Sequence, residues 1–186
     1  MAPQTIDYLE DVGAIVKELG GLGFKPVLVG GMALVILGSR RVTRDFDFVI
    51  AKPEERLEPL LGILYDRGLE LASRVSDDGE VTATIETRRV AAIRLRVDAP
   101  SSAYFVNPKT GLRIDFLFDF PIPAAKLSGR ATRTKVRSHV LHVASAKDLL
   151  RLKKIARARR TSQGDVQDIA FLEARRKATR RSTREK

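Results

Sequence analysis

The stretch VGGMALVILGSRRVTRDFDFVI, residues 29–50, begins with two adjacent glycines and ends on a segment that carries two aspartates. This segment, DFDFVI, alternates polar and apolar residues, which predicts a β-strand. Since alternate residues of a strand face the same way, Asp45 and Asp47 lie side by side while Phe46 and Phe48 face a core. Two carboxylates on a partly buried face repel each other and lose hydration. A bound divalent cation would relieve both effects, so the stretch predicts a metal site.

A further acid lies on a second predicted strand, LRIDFLF, residues 112–118, in which Asp115 stands between apolar neighbours. Neighbouring strands lie about 4.8 Å apart, so Asp115 can converge with the aspartate pair. Asp119 has the same strand parity and is the alternative third acid. Three acids on adjacent strands can hold two metal ions for an in-line displacement at phosphorus. Because the ligands are carboxylate oxygens, we expect Mg²⁺, with Mn²⁺ as the alternative.

The glycine pair, Gly30 and Gly31, lies between a predicted strand, residues 25–29, and a short apolar helix. At such a junction exposed backbone N–H groups bind phosphate, and glycine lets the backbone approach a ligand closely. The chain has no GxxxxGK[ST] motif, and it lacks the glycine and glutamate that an EF-hand loop requires. We therefore expect substrate phosphates beside this pair, where they would complete the shell of the metal.

The composition indicates one α/β domain with a small helical appendage, since the chain has 186 residues, of which 44% are hydrophobic. It contains no cysteine and two histidines, which excludes disulfides, thiolate metal sites and cysteine nucleophiles and argues against a multi-histidine zinc site. No apolar run reaches the roughly 18 residues of a membrane span, and the N-terminus lacks the apolar core of a signal peptide. We therefore expect a cytoplasmic protein with no membrane partner.

The net charge of +11 is concentrated near the C-terminus. Residues 147–186 contain 14 Lys and Arg but 5 Asp and Glu, whereas residues 1–146 contain 20 and 18. Such a basic region attracts phosphate-rich partners through a non-specific, salt-sensitive interaction. The alternative is a solvated helix face that ends in a frayed basic tail.

Periodicity predicts a helix–strand–helix–strand–helix order, followed by further strands and two C-terminal helices. This order indicates a mixed sheet with helices packed on it and a C-terminal helical pair. We expect an α/β core over residues 1–143, C-terminal helices on the active-site side over residues 144–178, and a disordered basic tail over residues 179–186. Within the core, VAAIRLRV, residues 90–97, is predicted as a strand, and Ser145 is predicted to cap the first C-terminal helix.

These motifs resemble those of the DNA polymerase β-like nucleotidyltransferase superfamily, which has a glycine pair, a DxD on the following strand and a third aspartate on a later strand. The pattern is similar in particular to its small bacterial branch, the AbiE-type abortive-infection toxins and their relatives. That branch carries R-x-T-x-D-x-D, here residues 41–47. It also carries a helix of the form DL-hydrophobic-x-x-K-x-x-A, here residues 148–156, and then D-x-x-D-hydrophobic, here residues 165–169. One departure is Gly31, where the branch often has serine.

The resemblance implies an α/β (α+β) fold with a small mixed sheet, flanking helices and a C-terminal helical pair. It also implies a Mg²⁺-dependent nucleotidyltransferase that moves a nucleoside monophosphate from an NTP to an acceptor and releases pyrophosphate. By the same resemblance, the nucleotide phosphates would contact Gly30, Gly31, Arg41 and Thr43.

The resemblance assigns the remaining site residues as well. The catalytic acids and metal ligands would be Asp45, Asp47 and Asp115, with Asp115 placed to activate the acceptor hydroxyl. Lys153 would reach the triphosphate from the C-terminal helices, and Asp165 would belong to the same wall.

RNA, in particular tRNA, is the acceptor that the resemblance and the basic C-terminal region lead us to expect, in a toxin-like role with a cognate antitoxin. One alternative is a small-molecule nucleotidyltransferase that acts on an antibiotic-type acceptor. This alternative needs an acidic pocket for a cationic substrate, and the basic region argues against it. The other alternative is a non-catalytic module that binds nucleotides or nucleic acids, against which the presence of all three acids argues.

Overall fold

The computed structural model describes residues 7–159 and 163–184. Over these ranges the chain forms eight strands, seven α-helices and one short 3-10 helix, Glu54–Arg56. In chain order the other elements are α1 Tyr8–Gly21, β1 Val27–Val29, α2 Gly30–Ile36, β2 Asp45–Ile50, α3 Leu57–Tyr65, β3 Glu70–Val75, β4 Val81–Ile85, α4 Arg88–Asp98, β5 Ser102–Val106, β6 Arg113–Phe118, α5 Ala124–Ser128, β7 Thr132–Val136, β8 His139–Val143, α6 Ala146–Arg159 and α7 Gln163–Arg184.

The eight strands form one sheet in the order β4-β3-β5-β6-β2-β1-β8-β7. The strand β2 runs parallel to β6, and β1 runs parallel to β8, whereas the other neighbours are antiparallel. The predicted fold class is confirmed, because the sheet is mixed, helices flank it and two helices follow it. This order places the DxD strand next to the strand that carries Asp115.

The sheet has an apolar face and a face that carries the acids. On the apolar face, Phe46 of β2 and Phe116 of β6 are 1% and 0% exposed, and each buried side chain of this kind contributes about 2 kcal/mol of hydrophobic stabilisation. The helices α3 and α4 cover this face, since Leu57 of α3 and Leu95 of α4 line a small cavity together with Phe118. The alternate residues of β2 and β6 are therefore directed away from α3 and α4.

The clearest sequence patterns are confirmed. The strand β2 coincides with the DFDFVI segment, and β1 and β6 lie within the two strands predicted over residues 25–29 and 112–118. Both C-terminal helices are present. Ser145 caps α6 as predicted, because its Oγ accepts a hydrogen bond of 3.1 Å from the backbone N–H of Asp148.

The prediction of a strand over residues 90–97 is wrong, because this segment lies within α4. The buried residues of α4 are Ala91, Ala92 and Leu95, whose spacing fits one face of a helix. The apolar residues that suggest a strand are exposed in part, as Val97 is at 77%. Burial on one helical face therefore outweighs the β propensity of the valines. Four strands that were not predicted from the sequence are also present, namely β3, β4, β5 and β7.

The C-terminal helical pair extends beyond its predicted end. The helix α7 continues to Arg184 and so enters the stretch predicted to be a disordered tail, in which the three arginines, 180, 181 and 184, have a high helix propensity. The last two residues of that predicted tail, Glu185 and Lys186, lie outside the described residues. Within residues 7–159 and 163–184, no helix has both the length and the hydropathy to cross a membrane.

Candidate active site

Three acids meet on the face of the sheet opposite α3 and α4. The register pairs Asp47 of β2 with Asp115 of β6, and it pairs Asp45 with Arg113. These four side chains share one face because alternate residues of a strand point the same way. The acids line a cavity of about 450 Å³. Its wall contains all the predicted site residues except Asp165, namely Gly30, Gly31, Arg41, Thr43, Asp45, Asp47, Asp115 and Lys153.

The cavity concentrates negative charge that its surroundings compensate incompletely. Burial, and then the neighbouring carboxylates of Asp47 and Asp45, raise the pKa of Asp115 to about 7. One buried oxygen of Asp45 and one of Asp115, the Oδ1 atom in each case, have no hydrogen-bond donor among the described residues. The Oδ1 atom of Asp45 lies 3.9 Å from Nη1 of Arg113, which is too long for a hydrogen bond.

The carboxylate oxygens of this cavity fit a hard divalent cation that arrives with a phosphate-bearing substrate. Buried carboxylate oxygens that lack donors are the ligands that Mg²⁺ prefers. In the part of the chain that the structure describes, no three His, Cys, Asp or Glu side chains already form a group that could hold a metal ion. Phosphate oxygens would therefore be needed to complete the coordination shell, as they commonly are at Mg²⁺ sites.

The two glycines allow the turn between β1 and α2 to approach the acids closely. Gly30 has a φ of +64°, and a Cβ atom at this position would lie 1.8 Å from Oδ2 of Asp47. A Cβ atom at Gly31 would lie 3.1 Å from Cζ of Arg41 and 3.2 Å from Oγ1 of Thr43. Glycine is required at position 30 both for the backbone conformation and for the space that the DxD carboxylate occupies.

The loop before β2 is held between the glycine turn and α7. The Oγ1 atom of Thr43 accepts a hydrogen bond of 3.4 Å from the backbone N–H of Asp45. The Nη1 atom of Arg41 lies 2.5 Å from Oδ2 of Asp168 in α7. The Nε atom of Arg41 is buried and has no acceptor among the described residues, so this guanidinium can still bind a phosphate oxygen.

Lys153 is a largely buried cation and not a solvated lysine of an exposed helix face. Its side chain is 13% exposed, and its Nζ atom lies 2.9 Å from Oδ1 of Asp165 and 2.7 Å from Oδ2 of Asp168. Asp168 therefore contacts both Lys153 and Arg41, the two cations of the cavity wall. Asp165 supports Lys153 from behind and does not itself line the cavity.

Asp119, the alternative third acid, is separated from the other acids. It follows β6 with a φ of +52°. Its carboxylate accepts hydrogen bonds from the backbone N–H groups of Ala124 at 2.8 Å and Lys52 at 3.1 Å. These bonds join the end of β6 to α5 and to the end of β2. Asp115 is consequently the acid that lies with Asp45 and Asp47.

Three further residues that the sequence motifs do not identify lie at or next to the site. Asp168 belongs to the D-x-x-D motif, from which its burial could have been inferred. Arg113 has the same strand parity as Asp115, so the alternation of β6 could have identified it. Tyr104 is the register partner of Asp115 on β5, a strand that the sequence does not predict. Burial and the charge of Asp45 raise the pKa of Tyr104 to about 12, so its phenol stays protonated.

Solved structures with a similar fold are nucleotidyltransferases or resemble them. The lincosamide antibiotic adenylyltransferase LnuA in its lincomycin-bound form matches with a TM-score of 0.55 at 13% identity, over 88% of this chain and 95% of that one. ANT(2″)-Ia in complex with adenylyl-2″-tobramycin matches with a TM-score of 0.56 at 12% identity, over 88% and 86%. An antigenic nucleotidyltransferase-like protein from Paracoccidioides brasiliensis matches with a TM-score of 0.54 at 19% identity, over 92% and 78%.

The chain thus has the fold of nucleotidyltransferases, and at these identities the similarity concerns the fold alone. The chain matches no protein-family model and no curated protein. The activity must therefore be argued from the site.

Proposed function

We propose that the chain is a Mg²⁺-dependent nucleotidyltransferase that moves a nucleoside monophosphate from an NTP to an acceptor and releases pyrophosphate. One observation carries this proposal: Asp45, Asp47 and Asp115 meet beside the turn at Gly30 and Gly31, and two of their buried oxygens lack hydrogen-bond donors. Such a concentration of negative charge destabilises the folded protein unless a bound cation compensates it. Carboxylates clustered in this way are typical of sites that bind a metal ion or transfer a proton.

The nucleotide phosphates would lie between the glycine turn and α6. The backbone of Gly30 and Gly31 would approach the triphosphate, and Thr43 would offer a hydroxyl. The side chains of Arg41 and Lys153 would supply positive charge on the same wall. Because Asp165 and Asp168 already fix these cations, little side-chain ordering would be needed when the nucleotide binds.

Asp115 would act as the general base. It would accept the proton of the acceptor hydroxyl as the acceptor oxygen forms its bond to the α-phosphorus and the bond to pyrophosphate breaks. Without a cation, burial and then the charges of Asp47 and Asp45 raise the pKa of this carboxyl to about 7; a bound Mg²⁺ would lower it and keep Asp115 ionised and able to accept the proton. A Mg²⁺ ion held by Asp45, Asp47 and Asp115 together with phosphate oxygens would neutralise the charge of the triphosphate.

RNA, in particular tRNA, is the acceptor that we propose, in a toxin-like role with a cognate antitoxin. The support is the basic C-terminal region, since residues 147–186 contain 14 Lys and Arg but 5 Asp and Glu. A small-molecule acceptor is the second candidate, because LnuA and ANT(2″)-Ia, which share the fold, are named for antibiotics. A module that binds nucleotides without catalysis would have no use for an acid triad at this cost in stability.

Label transfer tests the proposed activity. Purified protein, Mg²⁺ and each α-labelled NTP are incubated with total RNA and, separately, with a panel of aminoglycosides and lincosamides. We expect label on RNA with one or more NTPs, and we expect Asp47→Ala to abolish it. Transfer to no acceptor, or equal transfer by Asp47→Ala, contradicts the proposal. Label on an antibiotic alone selects the second candidate. Growth arrest caused by the wild-type chain, but not by Asp47→Ala, would support the toxin-like role.

A further inference from the structure

The acids divide their face of the sheet into two regions. On one side lie Gly30, Gly31 and Lys153, which the proposed function assigns to the nucleotide phosphates. On the other side, beyond β6, lies β5, because the strand order is β5-β6-β2-β1. In an in-line displacement the attacking oxygen and the leaving group stand on opposite sides of the phosphorus. With pyrophosphate on the glycine side, the acceptor hydroxyl enters from the side of β5.

Two side chains lie next to the acids on the β5 side, outside the residues that line the cavity. Tyr104 pairs in register with Asp115, and Arg113 lies two residues before Asp115 on β6, so both share the face of the acids. The Arg113 side chain is 25% exposed, and its charge partly offsets the effect of burial, which raises the pKa of Tyr104. A guanidinium can donate two parallel hydrogen bonds to a phosphate, and a tyrosine ring offers a surface on which a base can stack. This pair of side chains is suited to a nucleic acid.

Arg113 also has a partner that a phosphate can replace. Its Nη2 atom lies 2.5 Å from Oε2 of Glu80, and the Glu80 side chain is 62% exposed. An ion pair as exposed as this contributes little to stability, so exchanging its carboxylate for a phosphate costs little. The two cations on the nucleotide side differ in this respect, because Arg41 and Lys153 are held by Asp168, which is 4% exposed.

We propose that Arg113 and Tyr104 are the acceptor site and bind the phosphodiester and the base next to the attacking hydroxyl of an RNA chain end. Glu80 takes the place of that phosphate on Arg113 until RNA binds. This inference rests on the proposed nucleotidyl transfer and names its acceptor class. It also divides the cations by substrate, with Arg41 and Lys153 serving the NTP and Arg113 serving the acceptor.

Equilibrium binding of RNA tests this site directly. The probe is a short 5′-fluorescein-labelled single-stranded RNA with a free 3′ hydroxyl, and its anisotropy is followed at several salt concentrations. Arg113→Gln is compared with Arg89→Gln, which removes the same charge from the exposed surface of α4. We expect Arg113→Gln to weaken binding about tenfold and to reduce the salt slope by about one, with little change for Arg89→Gln. Equal effects of the two variants would overturn the inference.

Glu80 provides the opposite test. Removing its charge frees Arg113, so Glu80→Gln should tighten RNA binding, whereas Asp77→Asn in the same exposed hairpin should have a smaller effect. If the acceptor were a cation, Glu80→Gln would weaken its binding instead of tightening it. That reversal would overturn an RNA site. Arg113→Lys keeps the charge but not the paired donors, so it should bind RNA with intermediate affinity, and it replaces Arg113→Gln if the latter does not fold.

Steady-state kinetics separate this inference from the proposed function. With labelled NTP and the same RNA, Arg113→Gln should raise the KM for RNA about tenfold while the KM for NTP changes less than about twofold. Wild-type protein that labels no acceptor would overturn the proposed function itself. Wild-type protein that labels RNA with a KM that Arg113→Gln does not alter would overturn only the acceptor site. If Arg113→Gln raised the KM for NTP instead, Arg113 would be assigned to binding of the nucleotide.

Discussion

Asp47 and Asp115 are direct register partners on the parallel strands β2 and β6, and both line the same cavity. Burial, and then the like charge of Asp47, raises the pKa of Asp115 to about 7. A carboxyl group whose pKa is raised by folding favours the folded chain only while it is protonated. Its contribution is complete below the unfolded pKa of about 4 and is lost as the pH rises through 7.

The first prediction follows from this loss of stability with rising pH. Asp115→Asn should raise the free energy of unfolding near pH 8, by at most about 4 kcal/mol, and should have much less effect near pH 4, where the acid is protonated in the folded state and about half protonated in the unfolded state. Urea denaturation at the two pH values measures it. Asp77→Asn, which removes an exposed acid, serves as the control and should show no such pH dependence. A stability difference for Asp115→Asn that is the same at both pH values would contradict this assignment of the raised pKa.

Metal binding gives the second prediction. Because the described acids do not form a ready-made metal group, Mg²⁺ alone should raise the Tm only slightly, and Mg²⁺ with a non-hydrolysable NTP analogue should raise it more than the two added effects. At a concentration of about 100 Kd a ligand stabilises by about 2.7 kcal/mol.

The control for this prediction is Asp47→Ala, in which the excess over the two separate effects should disappear. Thermal denaturation of both proteins with Mg²⁺, with analogue and with both ligands provides the comparison. Additive shifts in the wild-type protein would mean that the metal and the nucleotide do not share a site.

Gly30 provides the third prediction. Gly30→Ala places a Cβ atom 1.8 Å from Oδ2 of Asp47 and also strains the backbone at a φ of +64°. Gly38→Ala is the matched control, because Gly38 has a φ of +97° but nothing lies within 4 Å of its Cβ position. The backbone strain alone should cost about 1 kcal/mol in each variant. Gly30→Ala should lose more stability than Gly38→Ala and should lose nucleotide binding, as urea denaturation and calorimetry will measure. Equal losses would mean that the close approach has no consequence.

The sequence predicts the centre of this molecule better than its edges, for a physical reason. The strand β2 is buried on one face and polar on the other, so its alternation is visible in the letters. In α4, by contrast, burial is limited to Ala91, Ala92 and Leu95, and the exposed Val97 makes the segment look like a strand. The edge strand β4, VTATI, alternates apolar and polar residues over five positions, but none of its residues is fully buried, so its apolar residues are not marked by a buried face.

The residues of the candidate site also differ in how well the sequence predicts their positions. The position of Asp115 beside Asp47 could be inferred because both lie on strands with clear alternation. The choice between Asp115 and Asp119 could not, because strand parity is equal for both and only the turn after β6 separates them. Tyr104 could not be selected, because its place depends on the long-range pairing of β5 with β6.

The network around Asp168 gives the last prediction. This carboxylate is 4% exposed and contacts Arg41 at 2.5 Å and Lys153 at 2.7 Å, so it joins the loop before β2 to both C-terminal helices. Asp168→Asn removes the negative charge that compensates these two cations. Lys153 still has its ion pair with Asp165. Breaking a buried pair by removing one partner costs about 3 kcal/mol.

The comparison for Asp168→Asn is Lys154→Gln, which breaks a pair with Glu173 whose side chains are 56% and 46% exposed. An exposed pair contributes at most about 1 kcal/mol, so Lys154→Gln should unfold in urea almost as the wild-type chain does. Asp168→Asn should unfold at a clearly lower urea concentration, and hydrogen exchange should rise first in α6 and α7, which the network fastens to the core. Equal unfolding of both variants would mean that the contacts of Asp168 do not help to hold the C-terminal helices to the cavity.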